Sequence, residues 1–157
     1  MEGYFHAYMA VLESVRDSLN KLADLTQEQK ESVQNDDLMA LNDVLKQEQA
    51  IALTLRGLDQ KREQLLGEMG LTDIPLSQLA GHFPVELREE MTQITTSLVE
   101  ESRRYSACAE ETRGLLEHTL REIDRTLSGL GVETVVGAGY KPLDEGLPAP
   151  MKTDFRA

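Results

Sequence analysis

Apolar residues recur along the first thirty positions in steps of three and four. Phe5, Tyr8, Leu12, Val15, Leu19, Leu22, Thr26, Gln29 and Val33 form one unbroken heptad series, with polar and charged residues at most positions between. That spacing lays a narrow stripe along a helix that pairs with another helix, and it predicts a helix over residues 2–33. The stripe turns polar at Thr26 and Gln29, so packing is expected to loosen there. Asn35-Asp36-Asp37 then supplies a stop and a new start: short polar side chains tolerate the turn and accept hydrogen bonds from the free amides of the next helix. The second helix is predicted over 37–69. Its stripe passes Leu38, Leu41, Leu45, Ala52, Leu55, Leu58, Leu65, Leu66 and Met69, with Glu48, Asp59 and Arg62 on or near it. So short a turn makes the pair an antiparallel hairpin.

Gly70, Pro75, Gly81 and Pro84 interrupt the pattern. Leu76, Leu79 and Phe83 within that stretch suggest a helical turn or two docked across one end of the hairpin. Pro84 suits the first position of a helix, where its missing amide hydrogen would be unpaired in any case. A third long helix is predicted from there to about 130, with Gly131 as its stop. Its stripe runs through Leu87, Met91, Ile94, Leu98, Glu101, Tyr105 and Cys108, then advances by fours through Thr112, Leu116 and Leu120 before Ile123, Leu127 and Leu130 resume the heptad. Such a stutter locally unwinds a supercoil, and Gly114 lies inside it.

Length adds an inference. At about 1.5 Å per residue the first two helices are each roughly 50 Å long and the third roughly 70 Å. If the third runs back along the second, about 20 Å of it overhangs, unless it bends at Gly114 to pack on its own hairpin. The overhang carries Leu116, Leu120, Ile123, Leu127 and Leu130, an apolar stripe that a client helix, a second copy or the chain's own tail should cover. These five are the candidate partner-binding residues.

Composition fits this picture. There is no Trp, with three Phe and four Tyr among 157 residues, which suits elongated helices burying narrow stripes of Leu, Val and Met. The fold class expected is all-α: a helical hairpin plus a longer third helix, residues 1–131, followed by a Gly- and Pro-containing tail, residues 132–157. Val135, Val136, Tyr140 and Leu143 would anchor that tail. The formal charge of −12 argues against a nucleic-acid partner, which would require a basic patch. No stretch approaches the roughly 20 apolar residues of a membrane span. The first residues lack the basic start and apolar run of a signal peptide, and the single cysteine makes no internal disulfide. A cytoplasmic protein is expected.

Chemistry is hard to find. His6, His82 and His118 sit on different elements, without the ligand spacing of a metal site. Cys108 lies on the apolar stripe and reads as a small buried hydrophobe. Gly137-Ala138-Gly139 neither follows a strand nor opens a helix, so it is a poor phosphate loop. No enzyme, metal or cofactor is expected.

Two stretches resemble the FlgN family of flagellar export chaperones. One is Asp36-Asp37-Leu38-Met39-Ala40-Leu41 through Leu58-Asp59-Gln60-Lys61-Arg62-Glu63-Gln64-Leu65-Leu66 to Gly70-Leu71. The other is Leu115-Leu116-Glu117-His118-Thr119-Leu120-Arg121-Glu122-Ile123 to Leu127 and Leu130. The family often carries two Asn three apart before its last Leu-Leu, and this chain has Ala109-Glu110-Glu111-Thr112-Arg113 there. The resemblance implies a cytoplasmic chaperone without catalysis. It would bind the C-terminal helical segment of hook–filament junction proteins, prevent their premature association and deliver them to the type III export gate. The competing reading is a structural or adaptor coiled coil that forms homo-oligomers through the third helix.

Overall fold

Stripes of this kind gain stability only by burial against one another, and three long helices accomplish it here. The computed structural model describes residues 2–130, apart from the side chains of Asp124 and Leu127. The long helices are α1 (Glu2–Gln34), α2 (Leu38–Met69) and α4 (Val85–Gly129). Between α2 and α4 lies the single turn α3 (Leu76–Leu79), continued by a 3-10 turn at Ala80–His82. The predicted tail and its anchors Val135, Val136, Tyr140 and Leu143, like the Gly131 stop, lie outside the described residues.

The α1–α2 turn closes as its side chains dictate. Asp36 takes the left-handed conformation, φ 54°, and the Asp37 amide donates to the Ser32 carbonyl at 2.9 Å while the Asp36 amide donates to Val33 at 3.3 Å. These are the paired bonds of a Schellman stop. Asp37 then caps α2, its Oδ1 accepting from the Ala40 amide at 3.0 Å. The same device ends α2, where Gly70 has φ 71° and the Leu71 amide reaches the Leu66 carbonyl at 2.9 Å.

Both α2 and α4 pack along α1. It can serve two partners because it buries more than one stripe: beside Tyr8, Leu12, Val15, Leu19 and Leu22 it also buries Met9, Val11, Ser18, Ala23 and Leu25. The heptad reading recorded only the middle of this broad face. α4 runs in the same direction as α1, with Arg104 reaching Asn20 and Asp24 and Thr112 lying over Thr26. The expectation that the third long helix lies along the second is therefore corrected. It does run back from the end of α2, but its packing is chiefly against α1.

The lower end of the bundle, where α1 begins and α2 ends, is the best filled. Leu76, Leu79 and Phe83 are buried across it, as the interrupted pattern suggested. The Phe83 ring lies 4.7 Å from Phe5 and 6.1 Å from Tyr8, centroid to centroid. These contacts tie the start of α1 to the segment leading into α4, where Met91, Ile94 and Leu98 continue the core. Arg62 is buried here too, its Nε donating to Asp59 Oδ1 at 3.0 Å. Burial raises the Tyr8 phenol above its ordinary pKa, and the Arg62 guanidinium pulls the other way.

Leu38 departs from its predicted place on the α2 stripe. It is 77% exposed and its neighbour Met39 83% exposed, because α1 has already ended at Gln34 and leaves nothing opposite the first turn of α2.

Candidate functional site

The register of α4 on α1 determines how far α4 projects. Thr112 Oγ1 approaches the Thr26 carbonyl at 3.4 Å, and Lys30 Nζ pairs with Glu111 Oε2 at 3.5 Å. Carried up to Gln34, where α1 ends, this register reaches roughly residues 115–120 of α4, which continues unbroken to Gly129. At 1.5 Å per residue the projection beyond the hairpin turn is about 15–20 Å. The overhang inferred from helix lengths is thus present, and Gly114 does not interrupt the helix.

Four of the five candidate residues have described side chains. Leu116 and Leu120 are half-buried at the base of the projection. Ile123 is 41% exposed and Leu130, just past the helix end, 72% exposed. Leu127 lies on α4, with its side chain outside the described residues. The flanks are charged: Glu117, Arg121, Glu122 and Arg125 are exposed, and His118 Nε2 sits 3.1 Å from Glu122 Oε1. An amphipathic helix with charged edges can receive another such helix through anchors one turn apart.

Below the projection lies a feature that the sequence only hinted at. The stripe of α1 turns polar at Thr26 and Gln29, yet both are buried rather than loosened; Thr26 meets Glu48 of α2 and Thr112 of α4, and Gln29 lies one turn farther along α1. Glu48 is 5% exposed, and burial pushes its carboxyl up to about 7, with the Thr26 hydroxyl working in the opposite direction. That hydroxyl is 2.7 Å from the Leu22 carbonyl, to which it donates. Its single proton is therefore committed, and a neutral Glu48 suits the site better than a carboxylate.

The remaining chemical candidates are scattered. His6, His82 and His118 are exposed, Cys108 is half-buried, and among the described residues no group of three His, Cys, Asp or Glu could hold a metal ion. No described helix is long and apolar enough to cross a membrane. What the arrangement offers is a helix face.

Compared with known proteins, residues 1–142 match the family model described as FlgN protein. The chain belongs to the FlgN family. No curated protein and no solved structure gives a significant match. FlgN proteins are flagellar export chaperones for hook-associated proteins; they act in the cytoplasm and are not enzymes. The family match spans all three long helices, including the whole projecting end of α4. Hook-associated proteins are accordingly the clients of this FlgN chain.

Proposed function

We propose that this FlgN chaperone holds its client on the projecting end of α4, through Leu116, Leu120, Ile123, Leu127 and Leu130. The observation that carries the reading is that α4 outlasts its hairpin by three turns or so while keeping an apolar stripe to its last residue. Left in water, that stripe forgoes about 1.5–3 kcal/mol per large side chain relative to burial. The segment it takes is an amphipathic helix at the client's C-terminus, anchored at positions one turn apart. Occupying that helix keeps the client from associating before export, and the loaded chaperone then delivers it to the export gate. The formal charge of −12 favours clients with a basic flank and makes the encounter salt-sensitive.

The test uses the two most exposed of the four members with described side chains, Ile123→Ala combined with Leu130→Ala. Neither is core, so the thermal midpoint should hold. Affinity for a hook–filament junction protein should fall at least tenfold, about 1.4 kcal/mol. A lowered midpoint with unchanged affinity per folded molecule would overturn the proposal. Sedimentation that shows a wild-type dimer abolished by the double variant, with client affinity unchanged, would favour self-association through the stripe instead.

A further inference from the structure

The contiguous apolar core ends at one level partway up the bundle, after Leu22 on α1, before Leu55 on α2 and after Leu98 on α4. Below it, α1 offers Tyr8 to Leu22, α2 offers Leu55 to Met69, and α4 offers Met91 to Val99, all apolar where they are most buried except Arg62 and Ser18. Beside the apolar Leu25 and Val44, the buried groups at this level are the polar Thr26, Gln29 and Ser32 from α1, Glu48 from α2 and Thr112 from α4. Two of them are badly served. Glu48 Oε1 and Gln29 Nε2 are sealed from solvent without a hydrogen-bond partner, as are the Tyr8 and Thr95 hydroxyls among the apolar residues lower down, and Gln29 is only 2% exposed. A buried donor or acceptor left unpaired forfeits the hydrogen bonds that water would give it.

The attachment of α4 changes character at the same place. After Val99, Thr112 is the one buried residue that α4 contributes among the described residues. Tyr105 and Cys108, on the predicted stripe, are only half-buried. Besides Tyr105, which packs against the core, what ties this part of α4 to α1 is largely a surface network: Arg104 with Asp24 and Asn20, and Lys30 with Glu111. Exposed ion pairs of this kind contribute little to stability.

We propose that the bundle opens locally at the Thr26–Gln29–Glu48–Thr112 layer, α4 lifting away from α1 above Val99 while everything below stays packed. Opening admits water to Glu48 and Gln29, so the open state recovers hydrogen bonds that the closed state lacks. It gives up few buried apolar contacts on α4. The device belongs to the free chaperone and does not depend on what the end of α4 binds.

Hydrogen exchange on the full chain without client tests this, because a long helix lifted from its partners is marginal in water and loses amide protection. Corrected for intrinsic rates, amides in residues 24–33 and 101–115 should exchange at least tenfold faster than those in 9–22 and 87–98. Glu48→Leu, which removes the orphaned carboxyl, should slow the upper set at least tenfold and leave the lower set within about threefold. Glu48→Gln, which keeps the shape and removes only the charge, should slow the upper set in the same direction; it stands in if the Leu variant misfolds or associates. Equal protection in the two halves of the wild-type chain would overturn the proposal. So would a folded Glu48 variant whose protection is unchanged, or rises equally in both halves.

Discussion

Glu48 offers a stability measurement in which the protein should become weaker as the medium becomes less acidic. Its carboxyl is pushed up to about 7 in the folded chain from its ordinary value of 4.5. The folded state therefore holds the proton more tightly than the unfolded one over that interval. For a group raised on folding, the stabilisation is fully present below the unfolded value and is lost as pH rises through the folded one. Each unit is worth about 1.4 kcal/mol, so the two to three units here set a ceiling of roughly 3 kcal/mol lost between pH 4.5 and 7.5. Ionisable groups at this level of the neighbouring helices include Lys30 and Glu111, paired with each other, Asp24 paired with Arg104, Glu28, Glu110 and Arg113, and the Cys108 thiol on α4.

Glu48→Gln isolates the effect, since it keeps size and polarity and removes the titration. Urea unfolding at pH 5 and pH 8 should give nearly equal stabilities for wild type and variant at pH 5. At pH 8 the variant should be the more stable by about 1–3 kcal/mol, seen as a higher midpoint at unchanged slope. Taking the difference between the two proteins at each pH cancels every group they share. A difference that stays constant between pH 5 and 8 would show that Glu48 ionises as freely when folded as when unfolded, and the buried-layer reasoning would fail.

Other substitutions test other joints. Phe83→Ala should cost about 3–5 kcal/mol by emptying the contact with Phe5 and Tyr8, and a thermal midpoint unchanged from wild type would contradict the packing described. Asp36→Gly should stabilise by up to about 1 kcal/mol, because the residue sits at φ 54°, where glycine is unstrained; chemical denaturation reads the gain. Gly114→Ala should add up to about 1 kcal/mol, since a Cβ there meets nothing within 4 Å, and a loss would mean that α4 needs flexibility at that point. Leu38→Ser and Met39→Ser should each change unfolding stability by less than about 0.5 kcal/mol, as both are solvent-exposed.

Much of this architecture was legible because helix geometry is rigid. A fixed rise per residue turns segment lengths into distances, so the surplus of α4 over its hairpin could be read before any contact was known. The cap at Asp37 and the stop at Gly70 are equally local: they depend on side chains within a few residues of the turn. Partner choice is not local. Each stripe shows that a helix has a partner without showing which, and α1 takes two because its buried face is widened on both flanks of the stripe, by Met9 and Ala23 on one side and Val11 and Leu25 on the other. Those residues were visible in the chain, but a search for a single heptad seam passes over them.

The polar layer was half legible, and the missing half shows how it could have been found. Thr26 and Gln29 stood out as breaks in the α1 stripe, and Glu48 as a charge on the α2 stripe. Reflecting α1 about the turn at Asp36 sets Thr26 opposite about residue 46 of an antiparallel partner. Glu48 therefore falls within a turn of the break. Read singly, each looked like a local weakness. Read across the hairpin, they coincide: the polar breaks of the two stripes fall at one level, where Glu48 and Gln29 are buried together. The same reflection puts Leu38 opposite about residue 34, where α1 is ending, and so accounts for its exposure. Above that level no hairpin remains to pack against. An apolar stripe nonetheless continues along α4 to Leu130, and the client surface proposed above rests on that continuation.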